Sequence, residues 1–461
     1  MLIDIRTDTR CHRLKSQGAD DDLASAGHPY SAQPRAPHDP NAELPPNCFQ
    51  PAADVLSKRD WKKASLRRPP YLVSDVHLGY LEYPMRYVKS LDGIRGIAVL
   101  LVVLFHYAYA PFGWVGVQIF FTLSGYLITS ILLEDRWRPF ASYTGQFYWR
   151  RCLRILPLFF FFVAAASVTF ALFGLPRSYR SDWAYLLTYS ANFARMRDTD
   201  IGASFVHIWS LAVEEQFYLI WPFLVYLIPP RMFKLVVAAI LLLSPFLRWA
   251  LYGLILRSGH SAEYAGRLIY VLPFTQFDAF AAGAAVPVFG LVRLRHSGRW
   301  ALSALALAAA LGLGVLTVNH FWHRGAFWAS LGYAMFLIGN HQYVWGYSLI
   351  NVVSTLIIVC TLQGLGPTRI FAGRPLVELG KISYGVYVYH CPVLVILRWL
   401  SAPTGADVSP WLRLGMFIVY FATVVMLSVA SYRWIESPFL ALKNYWARRA
   451  SRPTARELPT A

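Results

Sequence analysis

Residues 91–110, LDGIRGIAVLLVVLFHYAYA, decide how this chain is read. At about 1.5 Å of rise per residue, an apolar run of roughly twenty residues crosses the ~30 Å hydrocarbon core of a bilayer. Inside this run stand Arg95 and His106, eleven residues apart. That spacing is about three helical turns, so both side chains share one face roughly 16 Å apart. A charged side chain at the centre of a membrane costs about 2.5–3.5 kcal/mol on insertion scales, so such groups need a reason. Plainer readings exist for each: Arg95 as a residue that snorkels to the interface, His106 as a hydrogen-bonded packing residue. Spacing alone leaves both open.

The rest of the chain follows the same pattern. Of its 461 residues 56% are hydrophobic and 15% charged, against about 25% charged in soluble domains. The mean hydropathy is +0.40. The apolar residues arrive in ten runs, near 93–110, 113–133, 153–174, 208–228, 233–254, 270–291, 300–319, 345–364, 383–400 and 411–431. The fold class is therefore all-α, a polytopic membrane protein with about ten transmembrane helices. The net charge of +18 lies mainly in short connections and tails, which fits the positive-inside bias and anionic lipid headgroups rather than nucleic acid. Arg136, Arg138, Arg231, Lys234, Arg293, Arg295, Arg299, Arg369, Arg374 and Lys381 fall on one side if both termini are cytoplasmic. Segment 326–339, AFWASLGYAMFLIG, is too short for a span and reads as an interfacial or partly inserted helix.

The Pro-rich residues 1–88 read as a disordered, basic cytoplasmic tail, residues 89–440 as the membrane domain and 441–461 as a second cytoplasmic tail. The first residues, MLIDIRTDTRCHRLK, lack the apolar core of a signal peptide, so the first span has to direct insertion. Five scattered cysteines show no metal-ligand spacing, and no metal site is expected.

Polar groups stand in or beside five further spans. Gln118, Thr122, Ser124 and Gly125 suit close helix packing. Arg150, Arg151 and Arg154 precede the third span; the planar guanidinium fork suits phosphate, and ordinary positive-inside charge explains their location equally well. His207, Ser210 and Glu214 fall at i, i+3 and i+7, one helical face, beside Glu215 and Gln216. Three residues on one helix make a poor hydrolase triad, so this face reads as a polar network or acceptor site. Asp278 stands in the sixth span, and His390 lies in the ninth with Tyr384, Tyr387 and Tyr389. Connection 175–207 interleaves Trp183, Tyr189, Asn192 and Arg195, which suits carbohydrate contact or an interfacial aromatic belt.

SLDGIRGIAVLLVVLFH, GVQIFFTLSGYLI, RRCLRILP, HIWSLAVEEQFYLIWP, ISYGVYVYHCPV and WIESPF occur in that order between Ser90 and Phe439. Together they resemble the bacterial integral-membrane acyltransferase family (acyltransferase type 3), which includes O-acetyltransferases of O-antigen, exopolysaccharide and Nod factors. The resemblance implies catalytic roles for Arg95 and His106. The family's arginine-rich stretch matches Arg150, Arg151 and Arg154, here read as the coenzyme A site. Its Ser-Leu-x-x-Glu-x-Gln motif matches Ser210, Leu211, Glu214 and Gln216, which are read with His390 as substrate-binding residues. Two departures stand out. Gln276 occupies a position where many members have arginine, which puts a charge pair with Asp278 in doubt. The Gly-Asp-Ser signature of the esterase-like domain that ends many relatives is missing, so the membrane part should complete transfer alone or with a separate partner.

The function so implied is transfer of an acyl group, acetyl above all, from acyl-CoA to a hydroxyl of a cell-surface or lipid-linked glycan in the bacterial inner membrane. No permanently bound cofactor is expected; partners are acyl-CoA, the glycan and membrane lipids, not nucleic acid. Two alternatives differ in what they predict. An acyltransferase on a macrolide or lipid keeps the donor and changes the acceptor. A glycan transporter or flippase binds no acyl-CoA and moves its cargo unchanged.

Overall fold

The computed structural model describes residues 87–173, 183–197, 202–322, 327–401 and 409–442. Nearly all of tail 1–88 and of tail 441–461 lies outside these residues, as do 175–182 and 198–201 of the connection 175–207. Among the described residues the regular elements are helices. The long ones are α1 (Lys89–His106), α2 (Val115–Asp135) and α3 (Phe140–Phe173). Two short turns, α4 (Trp183–Leu187) and α5 (Ala191–Ala194), lead to α6 (Ile208–Leu227) and α7 (Pro230–Arg257). Then come α8 (Ala262–Val271), α9 (Pro273–Phe289), α10 (Ser297–Phe321) and α11 (Gln342–Leu362). The chain closes with α12 (Arg374–Lys381), α13 (Ser383–Ser401), α14 (Pro410–Ser431) and α15 (Ser437–Ala441).

The sequence punctuates these helices itself. Proline opens α7, α9 and α14, where its missing N–H costs nothing. Ser261 and Ser409 cap α8 and α14 by accepting from the backbone N–H of Tyr264 and Leu412. Gly290, at φ 66°, ends α9 in the left-handed conformation that a side chain disfavours.

A helix or helix pair occupies each of the ten predicted segments, but the count of ten spans needs correction. Six helices are long and apolar enough to cross a membrane, and eight spans result if the bent pairs α8–α9 (46°) and α12–α13 (75°) each count once. The two left out, α1 and α6, are those that carry Lys89, Asp92 and Arg95, and Glu214, Glu215 and Gln216. Segment 327–341 also departs from expectation. It forms three short 3-10 turns, Trp328–Ser330, Met335–Leu337 and Gly339–His341, instead of one helix. Left-handed residues Leu331, Phe336, Leu337, Asn340 and His341 break it repeatedly. Its backbone is tied into the bundle, because Trp114 Nε1 donates to the Tyr333 carbonyl (3.1 Å) and Gln342 Nε2 to that of Gly332 (2.7 Å).

α2 lies at the centre, with 83% of its apolar window buried against 17% for α7 and for α10. It packs along α9, and α1 packs along α12. Glycines set these distances: a Cβ on Gly125 would overlap the Phe280 carbonyl, and one on Gly283 that of Thr122. Small residues at such crossings let helices gain dispersion contact where lipid offers no hydrophobic drive. The outward faces of α7 and α10 keep Leu242, Phe246, Leu302 and Leu313 exposed, as a lipid-facing rim requires.

Candidate active site

α1, α6 and α13 meet along one buried polar column. At one end Arg95, 2% exposed, donates from Nη2 to Ser383 Oγ at the start of α13 (2.9 Å) and faces Asp92 at 3.7 Å. Asp92 in turn accepts from the Tyr87 hydroxyl at 2.7 Å. Next along α6, Glu214 accepts from the hydroxyls of Ser124 and Tyr218 through one carboxylate oxygen. Ser210, a turn further, hydrogen-bonds to the Tyr387 hydroxyl, and Tyr387 lies 3.0 Å from the His207 carbonyl. A cavity of about 40 Å³, lined by Arg95, Ser210, Glu214, Ser383, Tyr384 and Tyr387 among others, runs along this stretch. By the space one water needs, it has room for roughly three.

Three imidazoles close the other end. A carbonyl can only accept, so each ring's contact with a backbone carbonyl fixes where its proton sits. His106 Nδ1–H donates to Val102 (2.9 Å), His390 Nδ1–H to Tyr387 (2.6 Å) and His207 Nε2–H to Val388 (3.2 Å). In the neutral rings this leaves His106 Nε2, His390 Nε2 and His207 Nδ1 as bare nitrogens. His207 Nδ1 is buried with no partner. His390 stands between the other two, 4.8 Å from the His106 ring centroid and 4.6 Å from that of His207. His106, His390 and Cys391 also bring donor atoms within 4.8 Å of one another, a donor set that suits a soft divalent ion. The His106 nitrogen nearest His390 is already committed to the Val102 carbonyl, which works against that use.

The candidate residues thus separate. Arg95, Ser210, Glu214, His106 and His390 join the column. Gln216 does not: its Nε2 donates to Asn192 Oδ1 (2.9 Å) and to the Tyr189 carbonyl (3.0 Å), pinning connection 183–197 against α6. Tyr189 stacks on Phe159 at 4.4 Å, so it packs α3 rather than presenting a ring. The arginine cluster also divides. Arg150 faces Asp135 at 3.6 Å. Arg151 turns inward over Tyr218 at 5.3 Å and lines a second cavity of about 160 Å³ with Glu215 and Cys152. Arg154 lies within electrostatic reach of Arg95.

The doubt over Asp278 is resolved by a residue that sequence reading passed over. Arg248 of α7, fully buried, donates from Nη1 to Asp278 at 2.9 Å. Its Nη1 also reaches the Thr275 carbonyl (2.9 Å), and its Nη2 reaches Ser348 Oγ (2.7 Å). Its signal was present: a lone arginine in the apolar run LLLSPFLRWALYG is costly unless paired. Ser383 gave no such signal, since hydroxyl residues in apolar helices are common packing groups.

Fold and column define a membrane-embedded helical protein with a histidine-centred buried site. The chain belongs to the acyltransferase domain family, whose model matches residues 88–433. It is 28% identical over 390 residues to a peptidoglycan O-acetyltransferase, OatA, of Listeria monocytogenes, covering 77% of this chain and 56% of that protein. Against a putative peptidoglycan O-acetyltransferase, YrhL, of Bacillus subtilis, identity is 31% over 379 residues, covering 77% and 55%. Against an O-acetyltransferase, OatA, of Staphylococcus aureus it is 26% over 386 residues, covering 77% and 58%. The chain spans a little over half the length of these curated relatives. No solved structure matches it.

Proposed function

We propose that this protein is an inner-membrane O-acetyltransferase that moves an acetyl group from acetyl-CoA to a hydroxyl of a cell-envelope glycan, of the peptidoglycan class that its relatives' names specify. Residues 89–440 form the catalytic unit, with both tails in the cytoplasm. The observation that carries the reading is the column itself. It sets a buried guanidinium, hydroxyls and a carboxylate along one cavity, whose Tyr387 end adjoins the rings of His207 and His390 and, through His390, that of His106.

The donor's phosphates meet Arg154, Arg151 and Arg95 from the cytoplasmic side, and its thioester end reaches along the column towards His106. The glycan arrives from the opposite side, near Ser210 and Tyr387. His106 Nε2 takes the proton from the acceptor hydroxyl as its oxygen attacks the thioester carbonyl. The carbon–sulfur bond breaks, and the departing thiolate takes that proton back from His106, leaving ester and coenzyme A. Low dielectric around the site strengthens each of these electrostatic contacts.

His106→Ala should lower acetyl transfer about 10²–10⁴-fold, the usual worth of a general base. The measurement is ester-linked acetate on isolated cell-wall glycan, by mass spectrometry, from cells that carry wild type or variant at equal membrane abundance. Equal acetate in both rejects the reading, and cargo moved without gain of acetate identifies a transporter.

A further inference from the structure

The polar column holds a histidine that the transfer step above does not use. His390 is wholly buried, and both of its nitrogens are engaged inside the protein. Nδ1–H donates to the Tyr387 carbonyl at 2.6 Å, which fixes the ring and leaves Nε2 bare. That nitrogen faces His106 Nδ1 at 3.3 Å and Cys391 Sγ at 3.3 Å. The backbone around it is braced as well, because the Tyr420 hydroxyl donates to the His390 carbonyl at 3.1 Å. A ring so enclosed does not reach a substrate. It can reach His106.

We propose that His390 is the positioning residue of His106: its bare Nε2 shares the Nδ1–H that the Val102 carbonyl holds on that nitrogen, orients the His106 ring, and takes up part of the positive charge when that ring becomes an imidazolium. This rests on the proposed acyl transfer. In the resting protein His106 Nδ1–H is divided between the Val102 carbonyl at 2.9 Å and His390 at 3.3 Å. Once His106 Nε2 gains the acceptor's proton, Nδ1–H becomes a cationic donor, and charged hydrogen bonds are shorter and stronger than neutral ones. The shift therefore favours the transition state more than the ground state, the condition for raising kcat. In triads built with a carboxylate the same place is held by an anion; a neutral imidazole does it here without adding a charge to the membrane interior. His207, 4.6 Å from His390 and with its own buried bare nitrogen, extends the chain of rings one step further from His106.

Two substitutions separate orientation from packing. His390→Asn keeps a donor for the Tyr387 carbonyl and is too short to meet His106. His390→Gln carries its amide oxygen out to the position of Nε2. Full-length protein in nanodiscs is assayed with radiolabelled acetyl-CoA and a peptidoglycan-derived disaccharide as probe acceptor, and folding is checked by thermal melting. The Asn variant should lose about tenfold to a hundredfold in kcat, the worth of one hydrogen bond to a charged group, with both KM values within about twofold of wild type. The Gln variant should recover most of that loss. Asn and Gln variants that melt like wild type and turn over alike, whether both slow or both fast, overturn the proposal. A rise in acceptor KM at unchanged kcat overturns it too, because His390 would then be a substrate contact. If wild-type protein transfers no acetyl group, the acyltransferase reading itself fails.

Discussion

Two buried constellations in this bundle spend polar groups in opposite ways. Around Asp278 charge meets charge: Arg248 compensates the carboxylate, and the remaining contacts of its guanidinium go to carbonyls and a hydroxyl on neighbouring helices. Around His106 neutral rings keep bare nitrogens, one of them buried with no partner at all. The first arrangement locks α7, α9 and α11 together and offers nothing to a reactant. Both leave buried polar atoms without partners, Arg248 Nε and Asp278 Oδ1 in the first and His207 Nδ1 in the second. The second differs in holding neutral nitrogens that can take a proton, where the first is a charge-compensated ion pair. Neither burial nor an unpartnered atom therefore distinguishes structure from chemistry by itself; a neutral base in place of a compensated ion pair does.

Substitutions in the two places should move different observables. His106→Ala should show the largest effect, the 10²–10⁴-fold loss of turnover expected of a missing base, with melting close to wild type. Arg248→Met should do the reverse. Removing one partner of a buried ion pair costs about 3–5 kcal/mol, visible as a lower melting temperature in detergent, while turnover per folded molecule stays near wild type. Adding Asp278→Leu should return most of that stability, because an apolar pair of similar volume replaces a buried ion pair well. A loss of turnover in a stable Arg248 and Asp278 double variant would erase the contrast. Arg95→Lys, which gives up the planar fork that reaches Ser383 and faces Asp92, should raise the KM for acetyl-CoA about tenfold with smaller change in kcat. Smallest of all, Gln216→Leu should cost about 1 kcal/mol of melting stability through lost bonds to Asn192 and Tyr189 and leave acceptor KM unchanged. A strong rise in acceptor KM would restore Gln216 to the substrate.

Hydropathy made the helices legible because a bilayer permits few alternatives: apolar runs must satisfy their backbone internally, and helices do so. Periodicity also placed Arg95 with His106, and His207 with Ser210 and Glu214, on shared faces. Three things escaped it. The polar load of α1 and α6 hides them from a purely apolar test, so the span count shifted. Segment 327–341 has a helix-like composition, yet its breaks at Leu331, Phe336 and Asn340 depend on contacts with α10 and α11 that no local pattern encodes. Pairings across helices, Arg248 with Asp278 at thirty positions' separation or His106 with His390 at 284, follow from packing alone. Gln216 shows the opposite hazard: a residue inside a recognisable motif whose amide is occupied by a loop.

The crossing of α2 and α9 at Gly125 and Gly283 has a mechanical corollary. Backbones that touch through glycine have no side chains between them to slide or re-sort, so parting them forfeits the whole contact at once. The cavity face that α2 supplies through Val117, Phe120 and Phe121 is thereby held firm, while the α13 face, whose Tyr384 hydroxyl donates to the Ile155 carbonyl of α3, is held through a long side chain. The second face can yield by a change of rotamer; at the first nothing yields short of moving whole helices.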